Sequence, residues 1–322
     1  EPFCRPVIAR TQRFAAIGEC MIELSDRQRG GFDLAFGGDS ANTAVYIARL
    51  LRHMPVSVDY VSALGDDPYS DQILSFLEGE GIGTHLVCRF DGRLPGLYII
   101  RTDSRGERRF YYYRDQAAVR ELFSAGGDKI QTALEEYDWL YLTGITLSVL
   151  QADEQIEKLI EALARARAKG GRVAFDSNYR PVGWASAESA RTVFRDILGH
   201  VDVALVTLDD EQALFGDGDD ASCAGRLHAM GVAEVVVKLG ASGCFVSAER
   251  VQRHISGIPN PSPVDTTAAG DAFNAAYLAS RLSGGDPNAA AQRGNELAAE
   301  VIRHHGAVIA TDDMPAAPEL PG

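Results

Sequence analysis

No apolar run in this chain approaches the roughly 20 residues that cross a bilayer, and its start carries no signal-peptide core, so a cytoplasmic protein off the membrane is expected. Positive charge is also in deficit: 31 Lys and Arg stand against 45 Asp and Glu, a net charge of −14. That field argues against nucleic acid or anionic lipid as a partner. The five cysteines (Cys4, Cys20, Cys88, Cys223, Cys244) are odd in number and scattered, with no metal-type or redox-type spacing, as suits a reducing compartment. A two-histidine metal motif is missing too, because the adjacent His304 and His305 would point about 100° apart on a helix. The Walker-type Gly-x-x-x-x-Gly-Lys-Ser/Thr loop is absent, which excludes the P-loop kinases. There is no internal repeat and no low-complexity tract.

What is present is an ordinary globular composition, 46% apolar and 24% charged over 322 residues, enough for about two domains or one large α/β domain with an appendage. Short apolar runs alternate with longer helical patterns, as a parallel sheet with crossover helices requires. Strands are expected at 13–18, 56–64, 138–143, 173–176, 201–206 and 235–238. Helices are expected at 70–80, 155–169, 187–198 and 221–230; in the second of these Ile156, Leu159, Ile160 and Leu163 share a face. Residues 94–101 and 108–114 read as strands around a turn at 103–106, and 23–36 is short and Gly-bearing. These segments break the rhythm and predict a small β lid outside the main sheet. The ends, 1–12 and 314–322, are expected to be loose, leaving one domain over 13–313.

Chemistry concentrates in Asp265-Thr-Thr-Ala-Ala-Gly-Asp271, which opens the apolar run Ala272, Phe273, Ala275, Ala276, Tyr277, Leu278. Small residues at a helix start expose unpaired N–H groups and the positive end of the dipole to an anion. A carboxylate there repels a phosphate unless it handles a proton, which points to phosphoryl transfer onto a hydroxyl with Asp271 as the base. The plain alternative is Asp271 as a helix N-cap. Far upstream, Phe36-Gly37-Gly38-Asp39-Ser40-Ala41-Asn42 puts two glycines before a helix, where the backbone can approach a ligand and Asn42 can reach a polyol; alone this is a common turn.

Together, in this order and about 230 residues apart, the two motifs resemble the two signatures of the ribokinase-like PfkB carbohydrate kinase family. The resemblance runs from Ile17-Gly18-Glu19-Cys20-Met21-Ile22-Glu23-Leu24 to Arg303-His304-His305-Gly306-Ala307. Arg93-Leu-Pro-Gly-Leu-Tyr98, Gly106-Glu107, Phe110-Tyr-Tyr-Tyr-Arg114, Asp176-Ser-Asn-Tyr-Arg-Pro181, Thr207-Leu-Asp-Asp-Glu211 and Ala268, where most of the family has Gly, narrow it to the branch acting on 2-keto-3-deoxygluconate. It implies a three-layer α/β/α fold with a mostly parallel sheet and a β-sheet lid from about 23–36 and 92–116, which closes over the sugar and often makes a dimer. A homo-oligomer is therefore expected.

The same resemblance implies ATP and Mg²⁺, with transfer to the 6-hydroxyl of the sugar acid. Asp271 would be the base, and the N–H groups of Ala268, Ala269, Gly270 and Asp271 an anion hole. Gly37, Gly38, Asn42, Tyr98, Tyr112, Arg114 and Arg180 match substrate positions. Arg114 matches a carboxylate contact, which a planar guanidinium makes through paired hydrogen bonds. Lys238, Gly240 and Gly243 match the element beside the ATP phosphates, although Gly-x-x-Gly is equally a hairpin turn, and Asn295 matches a position near the adenine. Glu211 matches the Glu of an Asn-x-x-Glu element associated with Mg²⁺; Leu208 stands where the Asn would be, which leaves the ion chiefly to ATP oxygens and water. Other readings stay open: a kinase for fructose, ribose or a related keto acid, or a non-catalytic sugar-binding protein. The loop acids Asp66-Asp67 and Asp217-Gly-Asp-Asp220 read as solvated turns.

Overall fold

The apolar runs become strands of one sheet because both of its faces are covered. The computed structural model describes residues 10–27, 30–102, 108–124, 127–248, 251–260 and 262–315. The turn at 103–106, the Gly106-Glu107 pair, Cys4 and most of the two expected loose ends lie outside the described residues. Inside them, Gln12 already belongs to the first strand and Met314 packs against the core, so ordered chain extends one residue past 13–313 at each end.

The main sheet holds β1 (Gln12–Ile17), β4 (Val56–Leu64), β5 (Gly83–Arg89), β8 (Trp139–Thr143), β9 (Arg172–Asp176), β10 (Val203–Thr207), β11 (Glu234–Lys238), β12 (Gly243–Ala248) and β13 (Val251–Ser256). Their order is β13-β12-β11-β10-β9-β8-β1-β4-β5. Neighbours from β11 to β5 are all parallel, and β12 and β13 add an antiparallel edge. Alternation along β1 sends Phe14 and Ala16 into one apolar layer with Tyr60, Tyr141 and Leu205, and Ala15 and Ile17 into another with Leu140, Leu142 and Val206.

The first layer is closed by α1 (Asp39–Leu50), α2 (Pro68–Gly79), α9 (Ala269–Leu282) and α10 (Pro287–Val301). The second is closed by α3 (Gly127–Leu134), α4 (Gly144–Val149), α5 (Asp153–Ala168), α6 (Ala187–Leu198), α7 (Leu208–Phe215) and α8 (Asp220–Ala229). In α5 the stripe Ile156, Leu159, Leu163 is buried, each side chain contributing roughly 1.5–3 kcal/mol. Asp153 and Glu154 in its first turn and Arg165 and Arg167 in its last complement the dipole. Ser186 caps α6 in a reciprocal box with Ser189, which fixes its start. Among the described residues no helix is long and apolar enough to cross a membrane.

The expected elements are observed to within a few residues; strands β5, β12 and β13 and helices α3, α4, α7 and α10 were not among them. β13 is an edge strand with exposed Gln252, Arg253 and His254, the polar composition that keeps an edge from pairing further.

The lid is a separate four-stranded sheet, β3-β2-β6-β7, of β2 (Met21–Asp26), β3 (Phe32–Gly37), β6 (Leu97–Thr102) and β7 (Arg108–Tyr113). Its central pair, β2 with β6, is parallel and joins segments far apart in sequence. One face carries Met21, Tyr98, Ile100 and Phe110 as a small core. The register puts Leu24, Leu34, Ile99 and Tyr111 on the other.

Gly144, directly after β8, is a point of close approach: a Cβ there would lie 1.9 Å from the Ser177 carbonyl oxygen and 2.6 Å from the Phe194 ring. Gly144→Ala is expected to lower unfolding stability by about 1–3 kcal/mol or more. An unchanged urea midpoint would show that the ends of β8 and β9 can separate freely.

Candidate active site

Parallel strands deliver their C-terminal ends to one edge of the sheet, and here those ends carry polar groups. Glu19 follows β1, Asp176 ends β9 and Asn178 follows it, Thr207 ends β10 and Asp210 follows it, and Lys238 ends β11; all line a cavity of about 840 Å³. The N-termini of α1 and α9 enter from below, and Tyr98, Phe110 and Tyr112 of the lid cover it.

At the floor, Asp271 lies in the first turn of α9 but does not cap it. The cap position is Ala268, with no side-chain hydrogen bond, and Asp271 Oδ2 instead accepts from Asn42 Nδ2 at 2.9 Å. Lys238 Nζ donates to Asp176 Oδ2 at 3.0 Å and to Asn274 Oδ1 at 3.1 Å. Asn274 Nδ2 in turn donates to the same Asp176 oxygen at 2.7 Å. Asn178 Nδ2 donates to Asp39 Oδ2 at 2.8 Å. Asn178 is also the only non-glycine among the described residues with positive φ, 29°, a strained conformation that places this side chain. Burial, reinforced by the nearby Asp39 and Asp176, pushes the Asp271 carboxyl up to about 8, against the opposing effects of Asn42 and Lys238. Burial likewise raises Asp39.

The loop before α9 is braced by Asp265, which accepts from Thr267 N–H at 3.1 Å, Thr267 Oγ1 at 2.6 Å and Gly306 N–H at 2.8 Å. Of the expected anion hole, Gly270 and Asp271 line the cavity, together with Thr266 and Thr267. Ala268 is instead buried in the core, and Ala269 N–H donates to the Thr266 carbonyl at 3.3 Å. A Cβ on Gly270 would sit 3.6 Å from Lys238 Nζ, so the ammonium borders the helix start.

The substrate-type residues gather on the lid side. Gly38 lines the cavity, and a Cβ on it would come 2.1 Å from the Glu19 carbonyl oxygen. Gly37 stands just behind, against the Tyr98 hydroxyl and Asn42. The Tyr98 hydroxyl donates to Glu23. Tyr112 lies beneath the Arg114 guanidinium, 5.8 Å from its ring centre, and Arg114 Nη2 is 2.5 Å from Glu19 Oε2. Arg180 is half exposed and paired with Asp210 at 3.3 Å.

Three residues expected around the nucleotide lie outside the cavity lining. Gly240 and Gly243, at φ 57° and 98°, make the hairpin between β11 and β12, and Asn295 Nδ2 donates to the Ser256 carbonyl at 3.1 Å where β13 ends. They sit together on the same sheet edge as Lys238. Glu211 is outside the lining too. Its carboxylate is engaged by Arg226, which also pairs with Asp217 at 2.7 Å, and burial raises Glu211 to about 7. Glu211, Asp217 and Cys223 have metal-like spacing, but this guanidinium occupies their centre. The acids of that turn that reach the cavity are Asp209 and Asp210, the latter raised by burial and by Asp176. Sequence reasoning gave no role to Asp210, Glu19, Asp39, Asp176 or Asn274; all but Asn274 lie inside the quoted motif segments, which did not single them out.

The pfkB family carbohydrate kinase pattern matches residues 11–314. The chain belongs to the PfkB carbohydrate kinase family. The 2-dehydro-3-deoxygluconokinase of Escherichia coli (strain K12) is 46% identical over 312 residues, 95% of this chain and 100% of that enzyme. The crystal structure of a PfkB protein from Polaromonas sp. JS666 aligns at TM-score 0.81 with 24% identity, covering 91% of this chain and 96% of that one. That of fructokinase from Vibrio cholerae O395, holding fructose, ADP and a calcium ion, aligns at TM-score 0.80 with 24% identity, covering 94% and 96%. The fold is ribokinase-like, and as a PfkB kinase this chain is an ATP-binding sugar kinase.

The burial of Asp271 has a consequence for stability. Its carboxyl moves from an ordinary 3.8 to about 8 on folding, so the stability it permits is complete below about pH 4 and is lost as pH rises through 8. Asp271→Asn removes that loss. The variant is expected to melt a few degrees above wild type at about pH 8.5, with the gap closing towards about pH 5. Equal melting temperatures across this range would mean that Asp271 is not held in a carboxylate-hostile site.

Proposed function

We propose that this kinase transfers the γ-phosphoryl group of ATP to the 6-hydroxyl of 2-keto-3-deoxygluconate, giving 2-keto-3-deoxy-6-phosphogluconate and ADP. The observation that carries the reading is Asp271, a buried carboxylate of raised proton affinity beside a helix N-terminus in a polar cavity. The similarity to 2-dehydro-3-deoxygluconokinase over nearly the whole chain supports the sugar.

In this reading Asp271, oriented by Asn42, accepts the proton of the attacking hydroxyl. A new oxygen–phosphorus bond forms in line as the bond to ADP breaks. The proton leaves late in such a loose transition state, so Asp271 need not be a strong base. The N–H groups of Gly270 and Asp271 have no acceptor within their own helix and meet the charge on the transferring group, each such donor contributing roughly 3 kcal/mol. Lys238, fixed by Asp176 and Asn274, adds a cation at the same place. Arg114 and Arg180 take the acid end of the sugar beneath Tyr98 and Tyr112, and the nucleoside runs along the edge from Gly240 and Gly243 to Asn295.

A divalent ion fits the donor set, because Asp176 and Asp210 bring hard oxygen ligands to the cavity and Asp176 raises the affinity of Asp210 for positive charge. Those two would hold it with ATP oxygens and water, and it supplies charge neutralisation at the phosphates. Glu211, tied to Arg226, contributes to that site only indirectly.

We also propose a homodimer through the lid's outer face. Phe32, Leu34, Tyr111 and Tyr113 are 45–61% exposed there, a density of large apolar groups that a second copy would cover. Sedimentation at micromolar concentration is expected to give twice the chain mass, and Leu34→Lys a monomer; a monomeric wild type would refute the contact.

For the activity, MgATP-dependent ADP release is to be measured with 2-keto-3-deoxygluconate, its galactonate epimer, fructose and ribose. Turnover confined to the keto-deoxy acids is expected. Asp271→Asn should fall more than about tenfold in kcat, and Arg114→Ala should raise the sugar KM while sparing that for ATP. Turnover of neutral sugars alone would overturn the substrate, and wild-type-like kcat in Asp271→Asn would remove Asp271 from the chemistry.

A further inference from the structure

Glu19 stands where the chain leaves β1 for the lid. Its side chain is 4% exposed, with Oε2 2.5 Å from Arg114 Nη2. The contact pairs Oε2 with Nη2 and leaves the other edge of each group unanswered: Glu19 Oε1 and Arg114 Nε are buried and lack a hydrogen-bond partner among the described residues. Both residues line the cavity.

Room for the carboxylate comes from two missing side chains. A Cβ on Gly96 would lie 2.3 Å from Glu19 Oε1, and one on Gly38 would lie 2.1 Å from its carbonyl oxygen. Buried polar groups are rarely left unpaired, and an orphaned donor edge beside an orphaned acceptor calls for a third party that supplies both complements. A plain carboxylate would satisfy only Arg114. A carboxylate with a hydroxyl close by on the same molecule satisfies both.

We propose that Glu19 is a specificity-determining residue, accepting a hydrogen bond from a hydroxyl of the sugar acid next to the carboxylate that Arg114 holds. This rests on the assignment of Arg114 to the substrate carboxylate given above. Burial raises the proton affinity of Glu19, with Arg114 opposing, so a donated hydroxyl also steadies its charged form. The arrangement selects a hydroxylated acid over a neutral sugar, which finds Arg114 already facing a carboxylate, and over a bare keto acid, which leaves Glu19 unanswered.

The test is ADP-release kinetics for Glu19→Gln, Gly96→Ala and Arg114→Ala, with 2-keto-3-deoxygluconate as substrate and 2-ketobutyrate, a keto acid without hydroxyls, as competitive inhibitor. Glu19→Gln is expected to raise the sugar KM about tenfold or more, with the KM for ATP, the melting temperature and the inhibition by 2-ketobutyrate near wild type. Gly96→Ala, which intrudes on the carboxylate, should reproduce this pattern. An unchanged sugar KM in both variants overturns the proposal. Equal weakening of sugar acid and 2-ketobutyrate also overturns it, because Glu19 would then act only by holding Arg114. Arg114→Ala separates the two assignments: an unchanged sugar KM there, beside a raised one in Glu19→Gln, defeats the carboxylate assignment and leaves the hydroxyl contact standing.

Discussion

Three carboxylates share the floor of this cavity with one ammonium, and the architecture around them is what makes that tolerable. Asp39, Asp176 and Asp271 come from the start of α1, the end of β9 and the start of α9; Asp176 raises the charging cost of the other two, and Asp39 that of Asp271. Such a cluster would scatter in a soft structure. Here it is held by neutral donors, Asn42 on Asp271, Asn178 on Asp39 and Asn274 on Asp176, with Lys238 at the centre. Amides orient a carboxylate without cancelling its charge, so Asp271 stays placed and keeps a raised affinity for a proton, the property a base needs near neutral pH.

That floor dictates features elsewhere. The helices carrying Asp39 and Asp271 must meet the sheet closely, which small residues allow: α9 is buried along nearly its whole length, and a Cβ on Gly294 of α10 would strike the Phe273 ring at 2.7 Å. The lid is coupled to the floor through Glu19, whose backbone touches Gly38 below and whose side chain touches Gly96 and Arg114 above. The parallel pairing of β2 with β6 then ties both to the same small sheet. Lid and floor thus share residues 18–21 and 37–42, and movement of one is felt by the other.

Much of this was legible in the chain. β4 and α6 lie at their expected boundaries because apolar periodicity and a capping serine mark them without ambiguity. The two glycine-bearing motifs identified the helix starts that meet at Asp271. What periodicity could not supply is phase. Asp210 and Glu211 are neighbours, yet about 100° apart on α7, so one enters the cavity while the other turns back to Arg226. The motif located the turn and not the face. Likewise the segment that opens the resemblance contains Glu19 but does not show its surroundings, since Gly96 and Arg114 meet it only after the lid pairs. Ala268 is expected in the anion hole from its place in the loop, and what the loop sequence did not mark is that it packs into the core at the cap position of α9.

The acidic balance of the whole chain and the two anions proposed to bind it can be reconciled by separating where each is met. Lys238 donates to Asp176 and Asn274, which place its ammonium at the α9 N-terminus, where the phosphates would meet it. The carboxylates around it then penalise any phosphate that arrives without a cation of its own, which favours a metal-bound nucleotide over a bare one. In the proposed reading the sugar acid is met elsewhere, by Arg114 after the lid strand β7 and Arg180 after β9, each facing a single acid, Glu19 or Asp210. Each anion thus has its own compensating charge, and neither depends on a positive field from the protein as a whole.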